Sequence, residues 1–281
     1  MSDFAHYLLQ QVLPKQGLTR LAGRWAGWQG GAWTEWGIRR FIHRYGVDMS
    51  EAAQEDPAGY ASFNEFFTRA LKPGARPIAQ ADLVCPVDGS ISQFGPIEGD
   101  QIFQAKGHHY STRALVGGDA QLAKAFEGGG HFATLYLSPR DYHRIHMPCA
   151  ATLVRMIHVP GDLYSVNPAT ARTVPGLFAR NERVVCVFET AGRPWVLVLV
   201  GATIVGSMAT AWHGVIERSR SGPQTWDYRE QPVLMQQGQE MGRFMLGSTV
   251  VLLLPPAGLR FNAHWRPGGA IRMGEPMANW A

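Results

Sequence analysis

The spacing of apolar residues changes partway along the chain, from a helical period to short strand-like runs separated by turns. Phe4, Leu8, Leu9, Val12 and Leu13 recur at helical spacing and stop before Pro14. Leu18, Leu21, Trp25 and Trp28 carry a second stripe. After Gly30-Gly31, Ile38, Phe41, Ile42 and Tyr45 follow the i, i+3, i+4, i+7 rule. These patterns predict two or three amphipathic helices, whose apolar faces can pack on a core or lie in a lipid interface. Ser50 to Ala58 predicts a short acidic helix with Ser50 as its cap, and Phe63 to Leu71 predicts another. Lys72-Pro73-Gly74-Ala75-Arg76-Pro77 then breaks the pattern and marks a boundary between a helical, membrane-associating region, 1–71, and a β-rich region, 72–281.

Beyond that boundary, Leu83 to Val87, Ser90 to Phe94, Gln101 to Ala105, Phe132 to Leu137, Ala151 to Val159, Val184 to Glu189, Trp195 to Ile204 and Thr249 to Leu254 read as strands. One helix is expected at Asp119 to Phe126. Turns this frequent, without long alternating helices, predict an α+β fold: amphipathic N-terminal helices followed by a mostly antiparallel β body.

Composition adds a location for the charge. The chain has 281 residues, 17% of them charged and 46% hydrophobic, which is a globular balance. Residues 1–46 hold six Lys or Arg against two acids, an excess equal to the net +4 of the whole chain. The same segment holds Trp25, Trp28, Trp33 and Trp36. A basic, Trp-rich N-terminus suits an anionic membrane surface, and no helix-turn-helix, zinc or RNA-binding signature argues for nucleic acid. Cys85, Cys149 and Cys186 are widely spaced and form no C-x-x-C pair, so they read as small core residues of a reducing compartment. No cleavable signal peptide is expected at Met1-Ser2-Asp3. The charge-free window from Pro194 to Trp212 is interrupted by Gly201, Thr203, Gly206, Ser207 and Thr210, and reads as two buried strands rather than a membrane span.

Four places offer chemistry. In Leu246-Gly247-Ser248-Thr249, ahead of an apolar run, Gly247 gives the backbone freedom and Ser248 places a hydroxyl beside the Gly247 carbonyl. That is the arrangement an N→O acyl shift needs; a plain β-bulge is the competing reading. Asp88, in Pro86-Val87-Asp88-Gly89, is either a turn residue or an acid. His143 and His146 stand three apart, where one helical turn could bring them together as metal ligands, although no third ligand repeats nearby. His108, in Lys106-Gly107-His108-His109-Tyr110-Ser111, lies in a loop suited to phosphate or carboxylate contacts or simply to solvent.

Taken together, Phe63-Asn64-Glu65-Phe66-Phe67-Thr68-Arg69, Pro86-Val87-Asp88-Gly89, Tyr142-His143-Arg144-Ile145-His146-Met147-Pro148, Pro160-Gly161-Asp162-Leu163-Tyr164-Ser165-Val166-Asn167 and Gly238 to Thr249 resemble the pyruvoyl-dependent phosphatidylserine decarboxylases over roughly residues 10–255. The resemblance implies a proenzyme that cuts itself between Gly247 and Ser248 into chains 1–247 and 248–281, which stay associated. It implies Asp88, His146 and Ser248 as the self-cleavage triad, with His146 the base, and His143 as the proton donor in decarboxylation. Ser248 would become a pyruvoyl group, a covalent carbonyl cofactor that forms a Schiff base with phosphatidylserine and dispenses with PLP and metal. Tyr164 and Ser165 would lie near the substrate. The resemblance further implies phosphatidylethanolamine as product and a peripheral position on the cytoplasmic side of the cell membrane, and it leaves room for a homodimer. Three other readings stay open on the residues alone: a serine hydrolase built on Asp88, His146 and Ser248, which lacks a G-x-S-x-G elbow; a non-catalytic lipid-binding module; and a soluble amino-acid decarboxylase.

Overall fold

The computed structural model describes residues 15–203, 207–217, 222–245 and 248–281. The expected helix from Phe4 to Leu13, Ile204 and the residues Leu246 and Gly247 lie outside these. Helices α1 (Lys15–Gly27), α2 (Ala32–Tyr45) and α3 (Phe63–Phe67) make up the N-terminal part. The strands that carry the argument are β1 (Gly89–Pro96), β2 (His131–Leu137), β3 (Arg144–His146), β4 (Ala151–Val159), β5 (Arg183–Thr190), β6 (Arg193–Val200), β7 (Glu240–Phe244) and β8 (Ser248–Leu254). The chain is α+β and its pairings are antiparallel throughout the named sheets, as the turn frequency predicts.

A nine-stranded sheet runs in the order Gln224–Asp227, β4, β5, β6, β8, β2, β1, Ala270–Ile271, with Val233–Met235 also pairing β4. β8 is central. Ser248 to Leu254 pair residue by residue with Leu137 to His131, while Thr249 to Leu253 pair with Val200 to Val196 on the other side. All seven residues of β8 are buried. Val250, Leu252 and Leu254 join one core with Leu135, Leu137, Leu197, Leu199 and Phe244, whereas Val251 and Leu253 join a second with Val196, Val198, Val185 and Phe132. Burial on both faces explains why this antiparallel strand reads as a continuous apolar run instead of an alternating one. β3 and β7 belong to a separate four-stranded sheet.

The helices close around a third cluster: Ala26, Ile38, Tyr60, Phe63, Phe66 and Phe67, with Phe41 packed against it. Phe41 lies edge-on to Phe63, Phe66 and Phe67 at centroid distances of 5.1, 5.9 and 6.1 Å. The helical stripes divide between two surroundings. Ile38 is buried, but Leu21, Trp25, Trp28, Trp33, Trp36 and Tyr45 are exposed, Trp33 to 70%. No helix among the described residues is long and apolar enough to cross a membrane.

Local expectations needed correction in three places. Ser50 to Ala58 is not an α-helix: Asp48 bonds Ser50 in a tight turn, and a single 3-10 turn, Pro57–Gly59, is capped by Asp56. The Phe63 helix stops at Phe67, because the Thr68 hydroxyl turns back to the Asn64 carbonyl and Leu71 pairs with Ala52. The expected helix at Asp119 to Phe126 is only Ala120–Lys124, capped by the Asp119 carboxylate at 2.9 Å.

Gly89 opens β1 directly after Asp88. Its φ is +150°, and a Cβ there would stand 2.2 Å from the Tyr136 carbonyl oxygen on β2. Gly89→Ala should therefore part β1 from β2 and destabilise the fold by about 2 kcal/mol or more. Chemical denaturation of the variant would check this; an unchanged midpoint would show that the strands tolerate a side chain at that crossing.

Candidate active site

Ser248 is the first residue of β8 and faces Leu137, the last of β2. It is 1% exposed, and its Oγ is buried without a hydrogen-bond partner among the described residues. Six residues after Leu137 comes His143, in the loop between β2 and β3. Asp141 shapes this loop: its carboxylate accepts from the Ser138 amide at 2.6 Å. The loop is tied to the chain that leads to Ser248, since the Phe244 amide donates to the His143 carbonyl at 3.1 Å and β7 pairs antiparallel with β3. Topology thus places the histidine block on both approaches to residue 248. The cleavage-side residue Gly247 lies outside the described residues.

The two histidines have different surroundings, and they do not share a helical turn: His146 lies in extended strand β3. His143 is 0% exposed and its ring centroid lies 4.0 Å from that of Phe67 of α3, the two planes tilted by 42°. Its Nδ1 can only donate to the Asp141 carbonyl, at 2.8 Å, so Nε2 carries the lone pair, and that atom is buried without a partner. Burial drives its pKa down to about 3, with the bond to the Asp141 carbonyl opposing the shift and Arg69 adding to it. His143 is a neutral imidazole with a free lone pair. A buried donor and a buried acceptor, Ser248 Oγ and His143 Nε2, are thus both left unsatisfied by the fold.

His146 has no free nitrogen. Nδ1 donates to the Gly238 carbonyl at 2.8 Å, and the Tyr142 hydroxyl lies 2.9 Å from Nε2. Burial lowers its pKa as well, countered by the Gly238 bond and by Glu240. Asp88 does not bond to it. Its carboxylate accepts from Nε and Nη2 of Arg76 at 2.6–3.1 Å and from the Met273 amide at 2.8 Å. Arg76 also reaches Glu51, which in turn holds Arg272. The triad expected of Asp88, His146 and Ser248 is therefore not linked by hydrogen bonds; Asp88 acts on His146 only through space. Arg76, Tyr142, Gly238 and Phe67 are the supports that the motif reading left out. Arg76 stood in a stretch read as a linker, and Tyr142 stood unremarked inside the histidine block.

The helical part supports the loop from outside. The Thr68 carbonyl accepts from Arg144 Nε at 2.8 Å, Arg69 Nη2 donates to the Arg140 carbonyl at 3.1 Å, and Arg144 pairs with Glu240 at 2.8 Å. A polar cavity of about 300 Å³ opens beside this contact, lined by Arg69, Arg76, Asp88, Asp141, Tyr142 and Arg272 among others.

Of the expected substrate residues, Tyr164 and Ser165 lie on the loop after β4 and His108 on a hairpin; Asn181, which holds Tyr164, also bonds the Gly201 carbonyl next to Val200, the partner of Thr249. His108 is half-exposed on the hairpin Gln101–Ala105 and His108–Ser111. Tyr164 is buried, its backbone clasped by Asn181 and its hydroxyl accepting from Arg180 at 2.7 Å. Ser165 accepts from the Asn167 amide at 3.5 Å. No group of three His, Cys, Asp or Glu side chains among the described residues is placed to hold a metal ion.

A family model described as phosphatidylserine decarboxylase matches residues 63–279, and one described as PSD matches residues 6–46. The chain is similar to three bacterial proteins each named phosphatidylserine decarboxylase proenzyme. It is 68% identical to that of Variovorax paradoxus over 100% of this chain and 99% of the relative. To that of Delftia acidovorans it is also 68% identical, over 99% and 98%. To that of Chromobacterium violaceum it is 64% identical, over 99% and 100%.

The burial of His143 carries a pH signature. Unfolded, the imidazole takes up a proton near pH 6.5; folded, it does so only near its value of about 3. The unfolded chain thus binds more protons in that window, and stability should fall as pH drops from about 6.5 toward 3, at up to about 1.4 kcal/mol per unit. His143→Gln should flatten this slope in denaturation curves taken across the window. Equal slopes would mean that water reaches the ring.

Proposed function

Because this chain belongs to the phosphatidylserine decarboxylase family, whose members make phosphatidylethanolamine from phosphatidylserine and arise as self-cleaving proenzymes, we propose that it does so by cutting itself at Gly247–Ser248. The observation that carries the site assignment is the buried, unpartnered Ser248 Oγ at the mouth of a fully paired strand. In the first step Oγ attacks the Gly247 carbonyl while a base takes its proton, and the peptide becomes an ester. Loss of the Ser248 α-proton then expels Gly247 as a carboxylate and leaves dehydroalanine. Water replaces its nitrogen, ammonia leaves, and residue 248 ends as a pyruvoyl group.

The surroundings fit such a group: Ser248 is dry and held in register by Leu137, and the loop that carries His143 starts from the same end of β2 and accepts from the Phe244 amide ahead of it. When present, the pyruvoyl carbonyl supplies an electron sink for the bond that loses CO₂. The chain's own residues do the rest. His146 takes the Ser248 proton in self-cleavage, with Asp88 stabilising the imidazolium through space. His143 handles the proton at the substrate carbon, from a site where Phe67 and the protein interior exclude water.

The exposed face of α1 and α2 supports a peripheral seat on an anionic membrane; the cytoplasmic side is the one the family resemblance implies. Trp28, Trp33 and Trp36 point to solvent. Arg40 and Arg44 lie over the Trp36 and Tyr45 rings, at 6.0 and 5.6 Å, and neither pairs with a carboxylate among the described residues. Between the helices an apolar cavity of about 370 Å³ is lined by Ala22, Trp25, Trp36, Gly37, Phe41 and Phe63, with the two arginines at its edge. Aromatic rings beside unpaired guanidinium groups suit the boundary between headgroups and acyl chains.

Intact mass under denaturing conditions tests the chemistry: two pieces, 1–247 and a pyruvoyl-blocked 248–281, are expected. Ser248→Ala and His146→Ala should stay whole, Asp88→Asn should cleave very slowly, and His143→Ala should cleave yet decarboxylate poorly. A folded wild-type chain that stays unbroken would sink this reading, and exchanged phenotypes for the two histidines would reverse their roles.

For the membrane, Trp28→Ser/Trp33→Ser/Trp36→Ser should cut flotation with phosphatidylglycerol vesicles several-fold. Raising salt from about 0.1 to 1 M should weaken the wild type, because screening shortens from about 10 to 3 Å. Flotation insensitive to both would remove the membrane seat.

A further inference from the structure

The contacts around His146 assign a role to a residue that the triad omits. Both ring nitrogens are engaged, and the acid expected to orient the ring is not among their partners. Nδ1 faces a carbonyl oxygen, which can only accept, so Nδ1 carries the hydrogen. A neutral ring then has its lone pair on Nε2, and the Tyr142 hydroxyl at 2.9 Å must be the donor to it. Asp88 spends its oxygens on Arg76 and the Met273 amide. The work that a carboxylate performs in a Ser–His–Asp arrangement, fixing tautomer and ring plane, is done here by the Gly238 carbonyl and Tyr142.

We propose that Tyr142 is a positioning residue for self-cleavage: by donating to Nε2 its hydroxyl holds the His146 ring in the Nδ1–H tautomer before the reaction, and it turns away from Nε2 to leave that lone pair for the Ser248 proton. This rests on the reading of Ser248 as the self-cleaving residue. Tyr142 is well placed for the task. It is buried, its ring lies 5.6 Å from the imidazole, and burial pushes its own pKa up to about 12, so it remains a donor at any working pH. The loop that carries it is fixed at Asp141 by Ser138 and at Arg140 by Arg69. The charged groups acting on the pair are Glu240, Arg144, Arg243 and Asp88. Glu240 is paired with Arg144 and Arg243, and Asp88 with Arg76, so none of them offers Nε2 a substitute donor. A donor to the lone pair favours the neutral ring, so its removal should raise the pH at which His146 takes a proton.

The test uses the full chain. Tyr142→Phe keeps the ring and deletes the donor. Its self-cleavage, followed by mass after synthesis, should be about tenfold slower or more, and its pH midpoint should rise by about half a unit. Replacing Tyr142 with 3,5-difluorotyrosine keeps the bond, strengthens the donor and should move the midpoint down. In the Ser248→Ala chain, NMR titration of His146 should show the same two shifts without any cleavage. Unchanged rate and midpoint, or faster cleavage by Tyr142→Phe, would overturn the proposal. A folded wild-type chain that never cleaves would instead overturn the self-cleavage reading, and the titration in Ser248→Ala would still decide whether Tyr142 governs His146.

Discussion

The pairing of Ser248–Leu254 with β2, and of Thr249–Leu253 with β6 on the other side, is the constraint on which the rest depends. With β2 on one flank, β6 on the other and a core against each face, this strand has no freedom to slide. A shift of one residue would turn every side chain to the opposite core. Ser248 inherits that fixity. A hydroxyl that must meet one carbonyl carbon needs its Cα held to a fraction of an ångström, and a central strand end provides this better than a loop would.

Charge is handled in a complementary way. Burial holds His143 and His146 toward their neutral forms, and Arg69, itself buried and acting on His143, donates to the Arg140 carbonyl. Arg76 joins Asp88 and Glu51, with both side chains of the Arg76–Asp88 pair almost fully buried. Losing either member of such a pair leaves an uncompensated charge that costs about 3–5 kcal/mol. The pair also bridges the turn after α2 and the β body, so electrostatics near the site and cohesion of the two parts depend on the same guanidinium.

Much of this was legible from pattern. Long apolar runs such as Trp195–Val200 and Thr249–Leu254 declared themselves, since burying two faces leaves no room for polar alternation. The short strands Arg144–His146 and Glu240–Phe244 did not, because they form only by pairing with distant segments, with each other across almost a hundred residues and, for Glu240–Phe244, with Met208–Thr210 on its other side. That missing partner is also why His143 and His146 could be imagined on one helical turn. Ser50 to Ala58 misled through a good capping residue with no apolar face to follow it. Motifs brought Asp88, His143, His146 and Ser248 to notice, but side-chain partners are a tertiary fact: nothing in Pro86-Val87-Asp88-Gly89 says that the carboxylate belongs to Arg76.

The sheet has one more implication, for how the two polypeptides of the processed protein would stand to each other. A cut at 247–248 leaves β7 zipped to β3 and β8 zipped between β2 and β6, with every register already made. The small fragment would therefore never have existed as a free species seeking its mate. Its pairing would be indifferent to dilution, its ratio to the large fragment would be one to one by birth, and a separately made copy could not exchange into the sheet without unravelling its centre.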